Sequence, residues 1–323
     1  MKLRVLHSGP GLMATIQDLG RPQARRYGVP LSGAMDAHSH AMANLTLGNA
    51  PSAATLECTG GKLDAWVETG GRLSLSGAGG ALYIDGHPVP SNRAIRVPEG
   101  TLLTIQPLPG GNFCYLATEG GWAAALVFDS AATCLPGKFG GYKGRVLQKE
   151  DTLTSSFSTV SPFKTSIEPW FLRTDAPEVP SPGTPLIISV LEGPEWNYWT
   201  DRQQQAFLEK PVWISKDRSR QAVRIRGLSF LEHGCGDFFS TGVCPGTIQV
   251  PLSDDPAILM ADAQTTGGFP RIAQVIAVDL PKIAQAKTGQ LLRFRLVDIA
   301  EASRLLIAYK LKLQRLEIAV NLR

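Results

Sequence analysis

The 323-residue chain has no apolar run near the ~20 residues that a membrane-spanning helix needs, which argues against a helical membrane protein. Its first residues, MKLRVLHSGPG, turn polar too early for a signal peptide, so a soluble globular protein in the cytoplasm is expected. Cysteine is scarce: Cys58, Cys114, Cys134, Cys235 and Cys244 form an odd set without a CxxC, and only Cys235 lies near a histidine, His233. Reduced structural thiols are therefore expected, with no metal site. The net charge is only +4 and its Lys and Arg residues are scattered, so neither nucleic acid nor a membrane surface is an expected partner. Missing too are a nucleophile elbow, which leaves a hydrolase triad unsupported, and a dinucleotide fingerprint, since Gly77-Ala78-Gly79-Gly80 lacks its spacing. His38 and His40, two apart on an expected helix, face different directions and do not chelate one metal together.

What is abundant is glycine, at 33, and proline, at 23, punctuating many short Val, Ile and Leu runs. That pattern describes a mainly β protein with few helices. Strands are expected at Leu73–Leu75, Ala81–Ile84, Leu102–Gln106, Phe113–Ala117, Leu186–Leu191, Val223–Ile225, Ala257–Met260, Gln274–Val278 and Leu291–Leu296, with Asp85-Gly86 as a tight hairpin turn. Helices are expected over Ala34–Leu47, with Ser32 as its cap, over Asp201–Leu208, and over most of Ile299–Leu322. The last is amphipathic and is expected to pack on its own protein. Between Ser155 and Pro185 the composition shifts to Ser, Thr and Pro, which places a domain boundary near residue 183.

Two polar clusters stand out. In Pro251–Pro270 a short apolar run anchored by Leu259 and Met260 delivers Asp262, Gln264, Thr265 and Thr266 into Gly267-Gly268-Phe269-Pro270. The glycines there suit positive φ or close backbone approach to a ligand. Just upstream, Gln249 sits on a short strand between Pro245 and Pro251, which are expected to confine it to an edge or a strand end. The N-terminal cluster holds Gln17, Asp18 and Arg21, then Ser32 and Asp36, among turn glycines. For each of these residues a loop-holding or capping role competes with ligand binding.

Four stretches carry a family resemblance: the N-terminal block from Gly9 to Asp36, Gly140-Gly141-Tyr142-Lys143-Gly144-Arg145, Gly193-Pro194-Glu195, and Pro245 through Pro270 to Asp279. Together they resemble the biotin-dependent carboxyltransferase-like family over nearly the whole chain. The family includes the C subunit of 5-oxoprolinase, also labelled allophanate hydrolase subunit 2, a kinase-inhibitor antagonist, and the carboxyltransferase region of urea carboxylase. The resemblance implies two β-rich subdomains with a cyclophilin-like barrel: residues 1–183 as a carboxyltransferase-like subdomain A, and 184–323 as a cyclophilin-like subdomain B with a C-terminal helix.

It also implies the role of the C subunit in a multi-subunit, ATP-dependent 5-oxoprolinase that converts 5-oxoproline to glutamate. The B and A subunits of that enzyme are the implied partners, ATP is used together with the B subunit, and biotin is not expected as a cofactor. Two alternatives follow from the same family: a non-catalytic regulatory partner of a kinase inhibitor, and the carboxyltransferase component of a biotin-dependent carboxylase. A lactam is a stable amide that must be positioned and made electrophilic. On that chemistry Asp262, Gln249 and Thr265 are the candidate catalytic residues. Gln17, Asp18, Arg21, Ser32, Asp36, Arg220, Arg224, Thr266 and Gly267 are candidate substrate-binding residues. Arg220 and Arg224, four apart on an expected strand, would face one anion together.

The chain departs from the family pattern in three places. Arg218–Ile225 keeps both arginines but loses an Asn, a Gly and an aromatic; Asp129-Ser130-Ala131-Ala132-Thr133 replaces Gly-Ser-x-Ser-Thr; and a turn glycine is replaced within Ser253-Asp254-Asp255.

Overall fold

A computed structural model describes residues 1–157, 164–173, 183–229, 238–251 and 255–322. His233, Cys235, Ser253, Asp254 and about half of the Pro-rich stretch, residues 158–163 and 174–182, lie outside the described residues. The chain divides into two compact units, one of Met1–Arg21, Ser32–Ala176 and Leu313–Arg323, the other of Pro22–Leu31 and Pro177–Lys312.

The first unit contains β1 (Lys2–Ser8), β2 (Met13–Gln17), α1 (Ala37–Leu45), β3 (Thr55–Thr59), β4 (Leu63–Thr69), β5 (Gly71–Ser76), β6 (Gly80–Ile84), β7 (His87–Val89), β8 (Ile95–Val97), β9 (Leu102–Pro107), β10 (Phe113–Thr118), β11 (Thr152–Thr154) and β12 (Ser166–Ile167). They form two six-stranded sheets, ordered β11, β1, β4, β9, β6, β7 and β12, β8, β5, β10, β3, β2. Alternation explains the layering. Leu3 and Val5 of β1 and Ala65 and Val67 of β4 turn one way and are buried in the same core as Leu56, Leu73, Leu75 and Leu116 of the other sheet. Asp85 and Gly86 both have positive φ and join β6 to β7 with Ile84 opposite His87, the expected tight hairpin.

In the second unit β13 (Leu186–Glu192), α2 (Asp201–Glu209), β14 (Val212–Arg218), β15 (Ala222–Arg226), β16 (Thr241–Gly242), β17 (Thr247–Gln249), β18 (Ala257–Leu259), β19 (Thr266–Gly267), β20 (Arg271–Val275), α3 (Leu280–Gln285) and β21 (Leu291–Leu296) follow in order. Seven of the strands close into a barrel in the order β13, β20, β17, β18, β15, β14, β21. Only β13 and β21 pair in parallel, Leu186 opposite Leu292 through Val190 opposite Leu296. Ile188, Val190, Ile214, Val223, Ile248, Ile258 and Leu292 are wholly buried. On α2, Phe207 stacks on Phe294 at 4.5 Å. A final helix, α4 (Ile299–Asn321), ends the chain's regular structure.

Several expectations are corrected. The first helix starts at Ala37, because Ser32 and Gly33 hold positive φ and the cap is Asp36 rather than Ser32. The expected strand Gln274–Val278 is Arg271–Val275, since Ala277–Asp279 coils into a 3-10 turn that leads into α3. Of the two expected places for Gln249 the structure takes the strand end: it is the last residue of β17, with Pro245 and Pro251 outside the strand, while β17 itself is no edge because it bonds to β18 and β20 within the closed barrel. α3 and the 3-10 helix Pro22–Tyr27 carried no expectation.

Candidate functional site

The N-terminal cluster lies in the first unit. Gln17 closes β2 and is fully buried; its Nε2 donates to Thr15 Oγ1 (3.0 Å) and the Thr133 carbonyl (3.2 Å), and its Oε1 accepts from Gly33 N (3.1 Å). Asp18 accepts three bonds at 2.7 Å, from Gly20 N, Ser130 Oγ and Ala131 N. Arg21 donates to the carbonyls of Val127 (3.2 Å) and Ala132, with its guanidinium 5.0 Å from the centre of the Phe139 ring. Asp36 accepts from Ser39 N (2.9 Å) and Ser39 Oγ (2.6 Å) at the start of α1. Gln17, Asp18 and Arg21 thus tie the 17–21 segment to residues 127–133, while Asp36 caps α1. Ser32 is buried in the turn before α1. Asp18 also lines a cavity of about 450 Å³ with Gly20, Trp122, Leu126, Asp129 and Ser156.

Behind the 32–36 turn is a network without a motif to announce it. Glu57 Oε2 accepts from Met35 N and from Tyr115 Oη, both at 2.8 Å, while Tyr115 Oη accepts from Asp36 N at 2.7 Å. Burial, then the Glu57 and Asp36 charges, push the Tyr115 phenol well above its usual range. It stays protonated as a donor. The sequence signal was alternation alone, with Glu57 and Tyr115 facing each other across β3 and β10.

The second cluster lies in the barrel unit. Gln249, 2% exposed, ends β17; its Oε1 accepts from Gln264 Nε2 at 3.3 Å and its Nε2 donates to the Phe269 carbonyl at 3.4 Å. Both bonds are long for N–H···O pairs. Gly267 has no positive φ, and neither has Gly268. Gly267 serves close approach instead, because a Cβ there would stand 2.6 Å from Gln249 Nε2. Thr266 and Gly267 form β19 against Gly242 and Thr241 of β16, and the Thr265 carbonyl accepts from Val243 N at 3.0 Å.

Two ion pairs flank these amides. Arg220 Nε and Nη2 donate to Asp262 Oδ2 (2.8 Å) and Oδ1 (3.1 Å), and both side chains are buried. Arg271 donates through its backbone N and Nε to Glu195 Oε2, both at 2.8 Å, and through Nη2 to Oε1 at 2.6 Å; its Nη1 reaches the Gly242 carbonyl at 3.1 Å. Arg271 holds the Glu195 carboxyl below its usual range. Gly193-Pro194-Glu195 was visible as a motif, and Arg271 lay within the stretch running to Asp279, but nothing in the sequence named it as the partner of Glu195. Arg220 sits in the turn between β14 and β15, so it does not share a strand face with Arg224. Arg224 pairs with Asp217 at 2.7 Å and donates to the Asp255 carbonyl at 3.3 Å. The two arginines thus serve different carboxylates. Among the described residues no group of three His, Cys, Asp or Glu side chains is placed to hold a metal.

A two-sheet unit joined in one chain to a closed barrel that carries this amide-lined lip is a carboxyltransferase-type architecture. The sequence profile described as "Carboxyltransferase domain, subdomain A and B" matches residues 27–296, and the chain belongs to that family. It is 33% identical to the C subunit of 5-oxoprolinase from Escherichia coli (strain K12) over 90% of this chain and 91% of that protein. It is 31% identical to the protein of the same name from Haemophilus influenzae, over 90% and 91% of the two chains. Among solved structures, Kluyveromyces lactis urea carboxylase superposes with a TM-score of 0.85 at 25% identity, covering 98% of this chain but only 29% of that one.

Proposed function

We propose that this chain is one component of a multi-subunit, ATP-driven 5-oxoprolinase, and that its barrel lip holds the lactam. The observation that carries this reading is end-to-end correspondence: the chain spans 91% of the E. coli protein named as the C subunit of 5-oxoprolinase, whereas it matches 29% of the urea carboxylase chain. The geometry supports the same reading. A lactam ring presents one planar C=O and one N–H side by side, and Gln249 with Gln264 offers a matched donor and acceptor, with Thr265, Thr266 and the Gly267 backbone alongside. Asp262 acts through Arg220 in holding the turn that leads to these groups.

ATP, when bound in the complex, supplies phosphorylation of the lactam oxygen, which makes the ring carbon electrophilic. The residues of the lip do not fit a polyphosphate, because Arg220 and Arg271 are each spent on a carboxylate. The nucleotide is therefore assigned to the B component of the enzyme, and ring opening to glutamate to the complex with its A component. The test is 5-oxoproline-dependent ATP hydrolysis by this chain alone and after co-purification with its B and A partners. Activity is expected only in the complex. Robust turnover by the isolated chain, or a complex that transfers carboxyl groups from biotin without responding to 5-oxoproline, would overturn the proposal.

A further inference from the structure

The cavity beside Asp18 is lined entirely by residues of the two-sheet unit, and none of them is Lys, Arg or His. Its volume, about 450 Å³, falls in the range of ~300–1,000 Å³ that small-molecule sites occupy. Ala54, Trp122, Leu126 and Ala131 give it apolar walls, and Trp122 Nε1 is spent on the Leu116 carbonyl at 2.8 Å. The backbone N–H groups of Gly20 and Ala131 are spent on Asp18, and those of Gly120, Trp122 and Ala123 on Asn49, Ala54 and Thr154. An anion entering the cavity would meet neither a cation nor any of these donors.

Part of the wall is a strained turn. Val127 N donates to the Ser130 carbonyl at 2.9 Å and Ser130 N to the Val127 carbonyl at 3.4 Å, closing a two-residue hairpin on Phe128 and Asp129, whose φ angles are +52° and +59°. A turn with two positive φ angles suits Asn-Gly, and side chains such as these are disfavoured in it. The surroundings fix it nonetheless: Asp18 accepts from Ser130 Oγ and Ala131 N, both at 2.7 Å, and Arg21 Nε donates to the Val127 carbonyl at 3.2 Å. Backbone held in this way clusters at functional sites. What the turn presents to the cavity is the Asp129 carboxylate, exposed and engaged by no hydrogen bond or ion pair among the described residues. Asp18 is committed to its three donors, and no metal-holding group of side chains occurs among the described residues. We propose that this cavity binds a small organic amine, with its ammonium group on Asp129 and its apolar body against Trp122 and Leu126. 5-Oxoproline is a poor match, because its carboxylate would face Asp18 and Asp129.

The test uses the full chain and three probes of matched shape: phenethylamine, 2-phenylethanol and phenylacetate. Calorimetry is expected to show phenethylamine binding at least ~10-fold more tightly than 2-phenylethanol, with phenylacetate the weakest. Asp129→Asn, which keeps the size of the side chain, is expected to reduce the amine to the affinity of the alcohol. Asp129→Gly is expected to do the same with a thermal midpoint no lower than wild type, since glycine suits the turn. Ala123→Trp, a change at an exposed lining position, narrows the cavity and is expected to weaken both the amine and the alcohol. Equal affinity for amine and alcohol, tighter binding of phenylacetate, or no binding of the amine overturns the proposal. So does an amine preference that survives Asp129→Asn, Asp129→Gly or Ala123→Trp, or a lower midpoint for Asp129→Gly, which would make Asp129 a residue of the turn alone. No probe contains a lactam, so this site and the 5-oxoprolinase reading stand or fall separately.

Discussion

Removing one member of a buried, doubly hydrogen-bonded ion pair strands the other charge, at a cost of about 3–5 kcal/mol. Arg220 and Asp262 form such a pair. Asp262→Ala is therefore expected to lower the denaturation midpoint sharply, and Arg220→Met/Asp262→Leu to recover much of the loss; an Asp262→Ala protein as stable as wild type would refute a structural role. Gln249 is different, because its bonds at 3.3 and 3.4 Å hold little of the fold. Gln249→Ala is expected to cut activity of the assembled complex by ~100-fold, as loss of one positioned polar contact does. Its stability loss should stay near ~1 kcal/mol. Equal activity would remove Gln249 from the site. His40 supplies a pH dependence: burial lowers its pKa from 6.5 to about 4. The unfolded chain therefore takes up the proton first, and stability falls as pH drops from 6.5 toward 4, by up to ~3 kcal/mol. Denaturant midpoints at neutral and mildly acid pH should diverge less in His40→Gln than in wild type.

At the scale of elements, α1 shows how a start signal is chosen. Ser32 and Asp36 both carry cap-forming side chains, and the apolar spacing runs back to Ala34. Backbone decides between them: φ is +54° at Ser32 and +85° at Gly33, and Met35 N is taken by Glu57, so helical bonding first becomes available after Asp36. Asp36→Ala is expected to cost about 1–2 kcal/mol and Asp36→Ser much less, measured by thermal unfolding. Gly33→Ala should be worse than its propensity alone implies, because its Cβ would lie 2.7 Å from Gly20 N. α2, expected over Asp201–Leu208, starts where expected, and its start is closed by a complete capping box of Thr200 and Gln203. α3 was not: it is six residues long, and its end is held by Arg218, which donates to the Ala284 carbonyl at 3.0 Å and to that of Ala286, contacts far apart in sequence.

At the scale of the molecule, the thiols report on the packing of the two-sheet unit. Cys58 and Cys114 face each other across β3 and β10, and both are buried and unbridged, as is Cys134. The neighbouring Cys114 thiol and burial hold the Cys58 pKa well above its usual value, which keeps it protonated and unreactive. Alkylation mapped by mass spectrometry should therefore reach Cys58, Cys114 and Cys134 only when that unit unfolds, while the part-exposed Cys244 reacts in the native protein. Labelling of Cys58 at native rates would contradict the packed core.

Short runs of Leu, Val and Ile between turn residues were enough to establish a mainly β chain and its Asp85-Gly86 hairpin, and helical apolar spacing the course of its long last helix, because those depend on residues close in sequence. The motifs around Gln249 and Gly267 likewise marked where polar groups gather. What each group does there was settled only by contacts between distant segments: Arg220 was claimed by Asp262, Arg271 by Glu195, and Asp18 by Ser130 and Ala131. Barrel closure likewise depended on β13 meeting β21 across about a hundred residues. A hydrogen bond or a buried charge is satisfied by whichever partner the fold brings within about 3 Å, and no local pattern of side chains names that partner in advance.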